Sequence, residues 1–582
     1  MSDMLRCTLA AFRRRARCRS ESKYTVDRTL LSSMLSPLTS CRFNSLASYA
    51  AAGFNLRTPI DRRSCPVLCS HVAGQTRPTP LHALTPGIPL LSILLATPFL
   101  VAVALFFVPS RARTAIHWVS MTGATAMLLL SAAVFLAFTP ATGGFQLDEQ
   151  YAWLPQLGIT LHLATDGIAA PLVLLTGVVI FCGTLVSLKV THRPKDYFIL
   201  LFTLVGGVYG TFLSLDLFFL FFFYEIAVLP MYLLIGVWGS STDFGTFLRT
   251  KEYGAMKLTL VLVAGSIPVW VAIIATFLQA GAGSMDLPVL AQATYSRDFQ
   301  LVFYPMFMIG FGILAGLFPF HTWSPDGHVA APTAVSMLHA GVLMKLGAFG
   351  IIRVGMLLMP EGAAAWAPVL LVLATVNVVY GALSALGQTD LKYVIGYSSV
   401  SHMGYVLMGF ASMSIVGVNG AVLQMVSHGI MTALFFTLVG VVYDQAHTRL
   451  IASFGGLAQQ SKLVAVMFAV AGFASLGLPG LSGFVAEFLI FVGLFERYPL
   501  FGALGIAGAA ITAVYILRLM ATAFFGPANP KWATLHGPNR SETIAAVILC
   551  ASIFAVGLFP SLLMPAISVG VASLMSTMLG AG

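Results

Sequence analysis

Charge is what this chain has least of. Only 9% of its 582 residues are Asp, Glu, Lys or Arg, against roughly 25% in a soluble globular domain. Hydrophobic residues make up 58%, and the mean hydropathy is +0.90. This composition excludes a water-soluble fold. The formal charge of +10 does not point to nucleic acid either, because residues 1–85 carry thirteen Lys and Arg against four acidic residues and the remainder is close to neutral. Cysteine is also scarce: Cys7, Cys18, Cys41, Cys65 and Cys69 lie in that first segment, and Cys182 and Cys550 in apolar runs. Cys65 and Cys69 have no second pair or His cluster at zinc spacing, so neither a metal site nor a disulfide framework is implied. No phosphate-cradling GxxxxGK[ST] and no dinucleotide fingerprint occur. Histidines in the central runs have no haem signature beside them.

Residues 1–85, with RRRARCRS at Arg13 to Ser20, are Arg-rich, Ser-rich and poor in acids. That is the composition of an organelle presequence or of sequence translated from a start codon set too far upstream, and we set the segment apart from the fold. Residues 86–565 form the transmembrane body and 566–582 a C-terminal tail. The body reads as about fourteen apolar runs, starting near Gly87, Ile116, Gly167, Tyr197, Leu217, Tyr253, Leu301, Ser336, Ala364, Val394, Val416, Leu463, Leu500 and Thr543. Each approaches the ~20 residues that cross a bilayer as a helix. The fold class is therefore an all-α polytopic membrane protein embedded in a lipid bilayer. Loops with Arg111, Lys189, Arg193, Arg249, Lys251, Lys392 and Arg449 share one parity, which the positive-inside rule places in the cytoplasm. Loops of the other parity carry Asp148, Glu149, Asp286 and Glu361.

Ionisable groups stranded in apolar runs are the functional candidates, because oil disfavours their charged forms and they persist mainly where they serve ion or proton transfer. Glu225 lies in LFFLFFFYEIAVLP, Lys257 near the start of YGAMKLTLVLV, Lys345 mid-run in VLMKLGAF, and Glu487 in GLSGFVAEF. His428, in MVSHGIMT, is the preferred relay and His321 the second, since imidazole titrates near neutrality. His328, His339 and His402 are further ring candidates. Two runs are broken by proline, at Pro319 and at Pro479, the pattern of inverted-repeat transporters whose broken helices line a central site.

LFPFHTWSPDGHVAAPTAVSMLHAGVLMKLGAFGIIR (Leu317 to Arg353), QTDLKYVIGYSSVSHMGYV (Gln388 to Val406), QMVSHGIMTALFFTLVGVVYDQAHTR (Gln424 to Arg449) and GLPGLSGFVAEF (Gly477 to Phe488) resemble the antiporter-like membrane chain, M or 4 type, of respiratory NADH-quinone oxidoreductase. So does WLPQLGITLHLATDGIAAPLVLLT from Trp153. The resemblance implies fourteen helices with two inverted five-helix repeats, and a midplane axis of protonatable residues. It also implies pumping driven by quinone reduction elsewhere in a complex. NADH, flavin, iron-sulfur clusters and quinone are then expected on partner subunits and no cofactor on this chain. Its partners would be other membrane-arm subunits, with no nucleic acid.

Carried over, the glutamate of the fifth crossing is Glu225, the lysine of the eighth Lys345, the histidine of the eleventh His428 and the glutamate of the twelfth Glu487. The family's usual lysine in the seventh crossing is replaced by Leu314. Glu225 then needs another cation within Coulomb reach, and Lys257 or His321 is expected to supply it. The alternatives are a subunit of a multi-subunit cation/proton antiporter or of a membrane-bound hydrogenase. The expected location is the inner (plasma) membrane of a bacterium, the alternative the mitochondrial inner membrane.

Overall fold

The computed structural model describes residues 88–243, 248–533 and 535–578. The Arg-rich segment 1–85 lies outside the described residues. Helices begin within four residues of all fourteen expected starts. They are α1 (Leu90–Phe107), α2 (Arg113–Ala137), α3 (Ala169–Ser187), α4 (Pro194–Leu213), α5 (Leu217–Trp238), α6 (Lys251–Ala280), α7 (Arg297–Ala315) followed by α8 (Trp323–Ala330), and α9 (Thr333–Met356). The order continues with α10 (Pro360–Leu386), α11 (Leu391–Ala411), α12 (Ile415–Ala446), α13 (Lys462–Ser475) followed by α14 (Ser482–Phe495), α15 (Pro499–Phe524) and α16 (Arg540–Leu558). A further helix, α17 (Met564–Met578), runs on past residue 565 and packs against α12 and α3.

Twelve of these helical segments are long and apolar enough to cross a membrane. The other two crossings are α11, with three serines and His402, and the interrupted pair α13 and α14. Helix is the conformation that satisfies each backbone N–H within its own segment when lipid offers no partner. Starts are set by side chains: Asp216 accepts from the N–H groups of Phe218 and Phe219 at α5, and Asp390 from those of Lys392 and Tyr393 at α11. Asn539 and Glu542 make a reciprocal capping box at α16. The outer helices α1 and α2 bury only a third of their apolar stretch, whereas α9 and α12 bury all of theirs and form the centre.

The two interrupted crossings are the seventh and the twelfth, each the fourth member of a run of five. At the first, Gly316 adopts φ 81° and ends α7. The backbone groups freed there are taken up by Asn377 of α10, which donates to Gly316 O (2.7 Å) and accepts from Phe318 N, while Trp323 Nε1 donates to Ile313 O (3.0 Å). At the second, Gly477 and Gly480 hold positive φ between α13 and α14, and the Gly477 Cα hydrogen points at Glu487: a Cβ there would lie 2.8 Å from its carboxylate. α9 is itself irregular, widening to π-helix over His339–Leu343 and Ile351–Met356, on either side of Lys345.

A hairpin adds to the expected helices. β1 (Gln146–Leu154) pairs antiparallel with β2 (Ile159–Thr165), whose ITLHL alternates apolar and polar side chains at the strand period although the strand is buried over His162–Thr165. The hairpin is pinned by His162, whose Nδ1 meets Asp286 Oδ1 at 2.6 Å and whose Nε2 meets Asp148 Oδ2 at 2.9 Å. Burial alone would lower the pKa of this ring; the bonds and charges of Asp286 and Asp148 outweigh it and hold the ring above its ordinary range. Neighbouring Asp216 is pushed up to about 6 by burial, against the three backbone N–H groups it accepts. The opposite end gathers the cations of the other loop parity: Lys189 pairs with Asp444 and Glu542, Arg449 with Asp390, and Arg249 with Asp326.

Candidate functional site

Lys345 is fully buried in α9, between its two widened turns. Its Nζ donates to Ala340 O and hydrogen-bonds His428 Nδ1 of α12 at 2.6 Å. The His428 ring lies 5.4 Å, centroid to centroid, from His402 of α11. His402 Nε2 meets Ser475 Oγ at 2.9 Å, and its Nδ1 lies 3.4 Å from Glu487 Oε1 of α14. Gln424 Nε2 bridges the same pair, at 3.2 Å from His402 Nδ1 and 3.3 Å from Glu487 Oε1. Three predicted site residues, Lys345, His428 and Glu487, thus form one buried line with His402 across four helices, each residue at most 4% exposed. The second helix break makes room for its far end, because Gly477 and Gly483 let α13 and α14 close around the carboxylate.

On the near side of Lys345, His328 and His339 stack with ring centroids 4.1 Å apart. His328 Nε2 meets Ser324 Oγ at 3.0 Å, whereas His328 Nδ1 and both nitrogens of His339 are buried without a partner. Buried polar atoms of this kind are sites for water or for a proton in transit.

The first half is different. Glu225 lies on α5 beside Ser266 of α6, its Oε1 without a partner, and makes no ion pair among the described residues. Phe222 and Leu229, one turn away on either side, are exposed, so the carboxylate borders an outward apolar face. The expectation that Lys257 or His321 serves Glu225 is not what the geometry gives. Lys257 Nζ donates to Asp326 Oδ2 at 2.8 Å, and Asp326 Oδ1 accepts from Arg249 Nη1 and from Tyr393 Oη at 2.9 Å. His321 packs its ring on Phe318 and Tyr380 with both nitrogens unpartnered. The reason is positional: Lys257 is only seven residues into α6, level with α8, while Leu314 occupies the wall between α5 and α9. Phe311 and Leu314 on α7, and Leu317 just past its end, are fully buried; Phe311 packs its ring against Tyr224 of α5, and the Leu314 backbone lies against Gly347 of α9.

Asp326 is the residue that sequence reasoning passed over. Its signal was an acid inside a proline-interrupted apolar motif, SPDGH, three residues after a tryptophan. Gln424 was also missed; an amide four residues before His428 sits on the same helix face. Among the described residues no group of three or more His, Cys, Asp or Glu is arranged to hold a metal ion.

Residues 214–512, which hold every group just described from Glu225 to Glu487, match the profile of the NADH:quinone oxidoreductase/Mrp antiporter transmembrane family. NAD(P)H-quinone oxidoreductase chain 4 3 of Picosynechococcus sp. is 37% identical over 520 residues, covering 83% of this chain and 93% of that protein. Chain 4 of Acaryochloris marina is 37% identical over 489 residues, covering 82% and 90%. Among solved structures, respiratory complex I from Thermus thermophilus with bound NADH contains a chain matching with a TM-score of 0.76 at 26% identity, over 83% of this chain and 99% of that one. The Mrp complex from Dietzia sp. matches in fold at 0.74 and 20% identity, over 85% and 99%. On the family profile and on identity above a third across four-fifths of its length, the chain belongs to the NADH:quinone oxidoreductase/Mrp antiporter membrane family, with chain 4 of the quinone oxidoreductases as its relatives.

Proposed function

We propose that this chain is a proton-translocating membrane subunit of an NADH-quinone oxidoreductase, acting beside other membrane-arm subunits, with the nicotinamide, flavin, iron-sulfur and quinone chemistry carried by partner subunits of the complex. The observation that carries the reading is the buried line Lys345, His428, His402, Glu487. Two unit charges about 4 Å apart repel by about 4 kcal/mol at an effective dielectric of 20. A proton arriving on Lys345 therefore disfavours one on His428, and a proton leaving toward Glu487 relieves the next step. The order of groups makes transfer sequential. Glu225 and Lys257 belong to the first half of the path, Lys257 acting through Asp326 because Leu314 supplies no cation.

The names of the chain 4 relatives support a quinone-oxidoreductase complex over the antiporter alternative, for which the Mrp complex offers likeness of fold alone. Their cyanobacterial sources support a multi-pass location in a bacterial membrane. The test is NADH-driven acidification of inverted membrane vesicles bearing Lys345→Ala. Abolished acidification with the complex assembled is expected, and acidification at the unmodified rate would overturn the assignment. Sodium-dependent rather than NADH-dependent proton movement would instead select the antiporter reading.

A further inference from the structure

We propose that Lys392 is the proton-uptake residue of this chain, standing between an aqueous vestibule on the cytoplasmic face and the buried histidines. This rests on the proton-translocating reading above and adds to it the point at which protons leave water.

An open cavity of about 420 Å³ lies where the α3–α4 loop, the end of α5, the α8–α9 junction and the end of α12 meet. Lys189, His192, Ser240, Thr333 and Asp444 line it, together with the buried Lys392. The loops at its mouth are the cation-bearing ones, so it opens on the side from which protons are taken. Lys392 itself is 3% exposed. Its Nζ donates to Ala331 O at 2.7 Å and lies 3.4 Å from Ser336 Oγ, which in turn donates to His328 O at 2.8 Å.

Three independent features converge here. The cavity is large enough for water, since one molecule occupies about 30 Å³ in the liquid. Of the two anchors of Lys392, Ala331 lies in the junction between α8 and α9 and Ser336 in the first turn of α9, so the ammonium is held where α8 ends. Beyond it stands His328, wholly buried, with an unpartnered Nδ1, within electrostatic reach of both Lys392 and Lys345. The charged groups facing Lys392 are Asp390 and Arg449, which pair with each other, and Lys189 and Asp444, which do likewise at the cavity mouth. Asp390 accepts from the Lys392 backbone N–H, but neither pair bonds the Lys392 ammonium, so its proton is not locked in an ion pair among the described residues. The neutral amine takes a proton from cavity water, and the ammonium returns it to water or imidazole on the inner side; no other atom changes hands.

Vesicles carrying the assembled complex test this in three arms. Lys392→Arg keeps the charge but cannot release it, and Lys392→Gln removes it; each should slow NADH-driven acidification at least about tenfold while quinone reduction persists. Lys392→His restores a group that titrates near neutrality and should recover acidification below pH 7, which a merely structural lysine would not allow. In a background without the seven native cysteines, Thr333→Cys should react with a membrane-impermeant thiol reagent in inverted vesicles and not in right-side-out ones. Wild-type acidification in Lys392→Arg, or no reaction at Thr333→Cys in inverted vesicles, overturns the proposal. If Lys345→Ala pumps normally the functional reading fails; if Lys345→Ala is inactive and Lys392→Arg is not, only the uptake assignment fails.

Discussion

Lys257 and Asp326 are joined at 2.8 Å across the gap between α6 and α8, and Arg249 holds the other oxygen of the same carboxylate. Two cations thus share one buried anion. Removing the anion takes a shared partner from both; breaking a fully buried pair from one side costs about 3–5 kcal/mol, and the partial exposure of Lys257 and Arg249 makes the loss smaller here. Asp326→Asn should therefore lower the amount of assembled chain in membranes and its thermal midpoint. Lys257→Met in the same chain should recover part of the loss, as measured by melting of the detergent-solubilised complex. An unchanged midpoint in Asp326→Asn alone would show that the pair contributes nothing.

The two glutamates are unequal. Glu487 is hydrogen-bonded into the line that reaches Lys345, whereas Glu225 pairs with no cation among the described residues and borders an exposed apolar face. Glu487→Gln should cut acidification by about 100-fold, the scale of losing a positioned proton-transfer group, and Glu225→Gln by much less. Parallel rates of NADH oxidation separate pumping from assembly. The reverse ranking would mean that Glu225 governs the rate without a lysine at position 314.

Much of this was legible beforehand, and the exceptions are instructive. Fourteen runs were countable because a bilayer demands long apolar segments, and the breaks at Pro319 and Pro479 stood out because lipid cannot satisfy free backbone groups. Glu225, Lys345 and Glu487 were visible as charges where charge is costly. Which cation meets which anion was not visible, because an ion pair depends on helix rotation and depth. Lys257 was matched to Glu225 on an adjacent helix, yet its depth, level with α8, gives it to Asp326. The hairpin was hidden by its shortness, and only the alternation in ITLHL announced it.

At the outer end, His162 binds between Asp148 and Asp286, and Asp216 lies beside them. Both His162 and Asp216 have folded pKa values raised above their unfolded ones. A raised folded value stabilises below the unfolded pKa and loses that contribution as pH rises through the folded one. The Asp216 contribution is thus spent between the ordinary carboxylate range and about 6, and that of His162 above the ordinary imidazole range. Hydrogen exchange of the β1–β2 amides, corrected for intrinsic rate, should be slowest under mildly acidic conditions and should quicken through and above neutrality. His162→Gln should flatten that dependence.

Close approach of α7 to α9 depends on Gly347, where a Cβ would lie 2.4 Å from Phe311 O and 2.5 Å from Ala315 N. Those are backbone atoms and cannot step aside as a side chain could. Gly347→Val should force the helices apart at a cost above the ~1–3 kcal/mol of ordinary overpacking. Quantification of the chain in isolated membranes should find little or none, and Gly236→Ala, at a position where nothing stands within 4 Å of an added Cβ, serves as the tolerated comparison.

The 32 residues of α12 would reach about 48 Å at 1.5 Å per residue, well beyond a hydrocarbon slab of about 30 Å. An exposed helix of that length answers to bilayer thickness by leaning. α12 has no such freedom, since neighbours enclose the whole of its apolar stretch. Thinner or thicker lipid will therefore tilt the peripheral α1 and α2 first and leave the bearing of the His428 ring unchanged, so that the proposed proton path is insulated from the mechanics of its solvent.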